Sequence, residues 1–301
     1  MPEKIPAWWQ TWILASRPKT LPAAAAPVIV GTAMAYADRS FQIGPALACL
    51  LAALFLQIGS NLANDVFDYE KGADQGERLG PMRATQAGLL TPEQVKRGML
   101  LVFGIAALLG LYLAFVGGWP ILILGVAAII SAIAYTGGPY PLGYHGLGDL
   151  FVFIFFGLAA VAGTYYVQAL AVTSPVWWMS GSMGLLTVAI LVVNNLRDIE
   201  SDRSVGKRTL AVRWGVSGAR LEYVFCLLGA YIIPLALWGA GKFPLLSLLV
   251  FLTLPVALGL VRAIYSDSGR VLNKTLAGTG RLELLYALSF ALGLFAASLI
   301  L

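Results

Sequence analysis

Apolar residues run along this chain in long blocks separated by polar connections. The blocks fall at residues 21–36, 43–62, 98–116, 120–135, 147–171, 176–193, 223–239, 243–263 and 282–301. About 20 apolar residues of helix cross the hydrocarbon of a bilayer, and only a self-satisfied backbone survives there. The pattern predicts an all-α integral membrane protein of about nine transmembrane helices. Pro22, Pro27 and Pro255 predict kinks within the shorter blocks. No low-complexity tract or linker divides the chain, so residues 1–301 read as a single transmembrane domain. The first 20 residues lack an apolar core followed by a small-residue cleavage site, and no cleaved leader is expected.

The polar connections alternate between two sides. All but Arg39 and Lys242 of the 20 Lys and Arg fall on one of them. That asymmetry predicts a cytoplasmic N-terminus, cytoplasmic loops after every second span, and a C-terminus outside, in the cell membrane. It also accounts for the net charge of +5 without nucleic acid as a partner. Only 12% of residues are charged, about half the share in a soluble domain. Cys49 and Cys226 lie in apolar blocks and read as packing residues. His145 is the single histidine, which makes zinc unsuitable and leaves oxygen ligands for any metal.

Two long polar connections, residues 63–97 and 194–222, carry the candidate chemistry. The second block ends in Asn61-x-x-Asn64-Asp65-x-x-Asp68, and the sixth in Asn194-Asn195-x-Arg197-Asp198-x-x-x-Asp202. On a helix Asn61, Asp65 and Asp68 share one face, as do Asn195, Asp198 and Asp202. Carboxylates one turn apart repel each other unless a cation lies between them, and charges at membrane depth are costly. Two clusters facing one another across a cavity would hold Mg2+, a hard ion that joins carboxylates to substrate phosphates. Asp65, Asp68, Asp198 and Asp202 are the expected ligands. Arg17, Lys19, Arg83, Arg197, Lys207 and Arg208 are candidates for phosphate or carboxylate binding. Gln86 belongs to the turn that follows Gly80-Pro-Met-Arg83, and Tyr140 and Asp149 bound a segment suited to a lid. Any one of these acids alone would be an ordinary interfacial loop residue.

These residues resemble the intramembrane aromatic prenyltransferase superfamily. Its first motif runs Asn-Asp-x-x-Asp and its second Asp-x-x-x-Asp, matched by Asn64-Asp65-x-x-Asp68 and Asp198-x-x-x-Asp202. The family's further acid four residues on is Gly72 here, and the nearest downstream acid is Asp74. Within the superfamily, Arg17-Pro-Lys-Thr, Gly80-Pro-Met-Arg, Gly146-Leu-Gly-Asp and Gly206-Lys-Arg-Thr resemble the branch whose acceptor is 1,4-dihydroxy-2-naphthoate. The resemblance implies helices around a central cavity, Mg2+, a polyprenyl diphosphate donor, and loss of diphosphate and carbon dioxide to give demethylmenaquinone. Asn61, Asn64 and Asn195 would join the four Asp residues as catalytic groups. A related acceptor, 4-hydroxybenzoate or homogentisate, and a cation-coupled transporter remain as competing readings.

Overall fold

The computed structural model describes residues 7–72 and 79–300. Asp74 lies outside them. Among the described residues every regular element is helical. Eight helical segments are long and apolar enough to cross a membrane, and a ninth, Trp119–Ala134, is shorter. At 1.5 Å per residue, that segment rises about 24 Å.

The elements are α1 (Trp8–Ser16), α2 (Leu21–Ala37), α3 (Ile43–Glu70), α4 (Pro92–Gly117) and α5 (Trp119–Ala134). They continue as α6 (Gly148–Val152), α7 (Gly163–Ala169), α8 (Ser174–Arg197), α9 (Ile199–Ser204), α10 (Leu210–Gly239), α11 (Leu254–Ser266) and α12 (Leu272–Ile300). A π-helical stretch, Phe153–Ala162, joins α6 to α7 into one rod. A 3-10 stretch, Leu245–Thr253, leads into α11.

Several helices outrun their apolar blocks. α3 continues to Glu70, α10 begins at Leu210 and α12 at Leu272. Hydropathy falls where a helix leaves the hydrocarbon, but the backbone ladder carries on, so much of the two polar connections is helical. The first segment also starts earlier than expected. α1 precedes α2, and Arg17, in the left-handed region at φ 51°, turns the chain between them. Pro22 and Pro255 sit in first helical turns, where a missing N–H costs nothing. Pro27 and Pro234 lie inside α2 and α10.

α8 is the most enclosed span. It packs on α10, on the π-helical rod and on α12, around a core that includes Met179, Met183, Leu186, Tyr223, Tyr286 and Phe290. Backbones meet closely there: a Cβ on Gly157 would lie 2.6 Å from Gly184 Cα. Such small-residue contacts replace the hydrophobic drive that helices lack within lipid. α3 packs mainly on α4 around Leu62, Val66, Met99 and Phe103. The two helices that carry the acidic motifs thus each lean on the long helix that follows.

Candidate active site

The end of α3 distributes its polar residues in three directions. Asn61 turns toward the N-terminal segment, donating to Ser16 O at 3.0 Å and Thr20 Oγ1 at 2.9 Å. Asp65 turns toward the loop after α3, where Ala84 N–H and Thr85 N–H donate to its two oxygens at 3.0 and 3.3 Å. Asp68 faces inward. Arg83 Nη2 donates to its Oδ2 at 2.6 Å, and Tyr144 Oη to its Oδ1 at 2.7 Å. The shared face expected for Asn61, Asp65 and Asp68 is therefore divided among three partners. Periodicity fixes direction around the helix axis, not what packs there. Asn64 accepts from Thr136 Oγ1 at 2.9 Å and, through its backbone carbonyl, from Arg83 at 2.9 Å.

The second motif is not one continuous helix either. α8 closes at Arg197, Asp198 adopts φ −100° and ψ 10°, and α9 follows. Arg197 grips Asp198 with two hydrogen bonds, Nε to Oδ1 at 2.8 Å and Nη2 to Oδ2 at 2.6 Å. Its remaining donors reach Asn194 Oδ1 and Asn273 Oδ1, and Asn273 in turn donates to Leu79 O. A Cβ on Gly80 would lie 2.8 Å from Arg197 Nη2, so a larger residue there would have to displace the guanidinium. Arg197, expected to bind substrate, directs its donors to Asp198, Asn194 and Asn273. Asn195 is buried in the last turns of α8.

Lys207 joins the two motifs. Its Nζ stands 3.5 Å from Asp68 Oδ1 and 3.7 Å from Asp202 Oδ1. The same ammonium lies 4.6 Å from the centre of the Tyr144 ring, with Lys71 on that ring at 5.0 Å. Burial pushes the Asp202 carboxyl up to about 6; Lys207 opposes this, while Asp198 and Asp68 add to it. The lid segment is tied to the second motif by Arg208 N–H donating to Tyr144 O and Arg213 Nη2 donating to His145 O. Tyr140 is exposed and stacks on His145 at 3.6 Å. Lys19 and Arg208 are exposed, Arg17 and Gln86 are half-buried, and Asp149 is buried at the start of α6.

Beside these groups lies a cavity of about 360 Å³ between α2, α3, α4, α5 and the π-helical rod. Leu56, Ala106, Ile129, Phe151 and Phe155 are among its apolar walls, with Gln57, Ser60 and Tyr135 as polar points. Ser60 is one turn before Asn64, and Tyr135 adjoins Thr136, so the cavity runs up to the acidic end of α3. The cavity itself is lined by apolar and neutral polar side chains, and its Ser60 and Tyr135 lie on the side of the charged cluster.

That donor set suits a hard divalent ion. The carboxylates of two motifs approach a common cation, Lys207, and all available donors are oxygens. Among the described residues no three acidic, His or Cys side chains converge to enclose one ion. An ion shared with phosphate oxygens and water needs no such cage. Sequence reasoning missed Tyr144, Thr136 and Asn273 as partners of the motifs. Tyr144 was legible only as part of a lid segment, and Asn273 carries no local signal at all.

Comparison with known proteins places this arrangement. Residues 24–274 match the pattern of the UbiA prenyltransferase family. The chain is 42% identical over 296 residues to the 1,4-dihydroxy-2-naphthoate octaprenyltransferase of Escherichia coli, covering 95% of each chain. It is 38% identical over 280 residues to the protein of the same description from Mycobacterium tuberculosis, covering 93% of this chain and 95% of that one. In fold it is similar to a UbiA homolog from Archaeoglobus fulgidus bound to GPP and Mg2+, at a TM-score of 0.71 and 14% identity, covering 95% of this chain and 99% of that one. An all-helical membrane fold, two acidic motifs that meet at Lys207, and these matches lead to one conclusion: the chain belongs to the UbiA prenyltransferase family.

Proposed function

We propose that this chain is a magnesium-dependent polyprenyltransferase that moves a polyprenyl group from its diphosphate onto 1,4-dihydroxy-2-naphthoate. The observation that carries the reaction class is the meeting of Asp68 and Asp202 at Lys207, on the side of the molecule that an apolar cavity approaches through Ser60 and Tyr135. The acceptor rests on relatives at 38–42% identity that are described as naphthoate octaprenyltransferases.

Asp68, Asp198 and Asp202 are the groups that would hold Mg2+ on the donor diphosphate. The ion, when bound, screens the negative charge that grows on the leaving diphosphate. Lys207 and Arg83, already beside Asp68, would turn their donors to phosphate oxygens. Fixed cations of this kind stabilise charge that develops only as the bond breaks. The allylic C–O bond breaks with its electron pair passing to diphosphate. A ring carbon of the naphthoate forms the new C–C bond, and the carboxylate leaves as carbon dioxide with its bonding pair returned to the ring. The exchange needs no net proton acceptor, and the product is the demethylmenaquinone skeleton at its quinol oxidation level. The apolar cavity walls shelter the allylic cation from water and receive the isoprenoid chain. The whole chain acts as one transmembrane unit, with the basic side and the site on the cytoplasmic face.

The test is a membrane assay with a polyprenyl diphosphate and 1,4-dihydroxy-2-naphthoate, with and without Mg2+, read by mass spectrometry. The expected result is a Mg2+-dependent prenylated product lacking the carboxyl group. Product from 4-hydroxybenzoate or homogentisate instead would overturn the acceptor, and no prenylated product from any acceptor would overturn the reaction.

A further inference from the structure

Asp65 sits in the motif that resembles a metal-binding pair, yet its surroundings differ in kind from those of Asp68. It is 1% exposed, and both of its oxygens accept backbone N–H groups, from Ala84 and Thr85. Those amides open a tight turn in which Ala87 N–H donates to Arg83 O, Gly88 N–H to Thr85 O and Leu89 N–H to Ala84 O. The first amides of such a turn have no partner within it, the situation a capping side chain relieves at a helix start. Here the cap comes from another helix. A carboxylate accepting amides in a buried place makes charge-assisted bonds, stronger than neutral ones. Ala84 packs into the same cluster as Ala63 and Val66 of α3, so the turn is both bonded and packed against the helix.

The residue just before the two capped amides is Arg83. Its guanidinium reaches Asn64 O, next to the anchoring residue Asp65, and Asp68 Oδ2, about one helical turn beyond it. We infer that Asp65 is a positioning residue and not a metal ligand: it clamps the turn at residues 83–87 onto α3, and so presents Arg83 to the donor diphosphate beside Asp68. The inference rests on the reading of Asp68 as a metal ligand and of Arg83 as a phosphate donor. It divides two acids that the sequence pattern treats alike.

The experiment uses the full chain in detergent micelles, as wild type, Asp65→Asn and Asp68→Asn. Three quantities are measured: hydrogen exchange of the segment around residues 83–87, half-saturation by Mn2+ read by electron paramagnetic resonance, and binding of a non-hydrolysable geranyl thiodiphosphate at saturating metal. Asparagine keeps one oxygen acceptor but loses the charge. Asp65→Asn should speed exchange in the 83–87 segment about tenfold and weaken the thiodiphosphate about tenfold, as loss of a charged hydrogen bond implies. Its Mn2+ half-saturation should stay within about twofold of wild type, whereas Asp68→Asn should raise it by tenfold or more. Unchanged exchange around 83–87 in Asp65→Asn overturns the proposal, and so does a Mn2+ shift as large as that of Asp68→Asn. If the wild type binds neither metal nor thiodiphosphate, the functional reading falls. The exchange result, which needs no ligand, still decides whether Asp65 anchors the turn.

Discussion

The two acidic helix ends look alike in sequence and are built differently. At the end of α3 the helix is unbroken through Glu70, and its acids are sorted by what packs around them: Asp65 on amides, Asp68 on Arg83, Tyr144 and Lys207. At the end of α8 the helix stops at Asp198, and the sorting is done by an adjacent side chain, Arg197, braced by Asn273 and Leu79 from far away in the chain. One site relies on a loop folded back onto its helix, the other on a buried guanidinium. A motif written as two acids at fixed spacing conceals how each acid is held.

The sharpest way to break the comparison is to remove the charge that each site presents. Asp68→Asn should lower kcat/KM on the order of 10³-fold, the scale for losing one preorganised electrostatic group. Asp65→Asn should lose far less. Steady-state assays of the two variants side by side check this, and equal losses would mean that the α3 acids act as one set.

Next comes the brace. Arg197→Ala removes one partner of a pair whose side chains are 1% and 17% exposed and leaves Asn273 and Asn194 without their donor. Breaking a buried pair from one side costs roughly 3–5 kcal/mol, discounted here because Asp198 is partly exposed. A clear drop in the thermal midpoint of the purified protein is the expected reading. Gly80→Ala is a gentler probe of the same contact. Its Cβ must displace the Arg197 fork, so activity should fall about tenfold while the protein stays folded, since small misplacements at a site are expensive.

The pH dependence follows from Asp202. Its carboxyl, pushed up to about 6 by burial, is ionised above that pH and holds a proton below it. A protonated carboxyl does not ligate metal. The Mg2+ half-saturation should therefore be flat above pH 7 and rise as pH falls through about 6, by up to about tenfold per unit. Activity titrations in Mg2+ at several pH values check the sign. The smallest effect is at the surface pair Lys96–Glu70, about 40% exposed on each side. Lys96→Ala should change stability by less than about 1 kcal/mol.

The sequence made the spans legible because a membrane enforces the hydropathy pattern. It also located both acidic ends, since charges in such a chain are scarce. What it could not convey were contacts made at long range. Asn273 meets Leu79 across 194 residues, and Tyr144 meets Asp68 across 76. Periodicity placed Asp65 and Asp68 on nearly one face, and only the loop packed against that face separates them. Helix ends were misplaced for a similar reason: α10 and α12 begin well before their apolar stretches, with α10 broken at Gly215.

The central claim is that the two acidic ends act together on one diphosphate. The most direct measurement is Mn2+ binding by electron paramagnetic resonance in the presence of geranyl thiodiphosphate, for wild type, Asp68→Asn, Asp202→Asn and the double variant. The account predicts strong coupling: either single change removes most of the thiodiphosphate-dependent Mn2+ binding, and the double change adds little. Independent, additive losses would contradict a shared site.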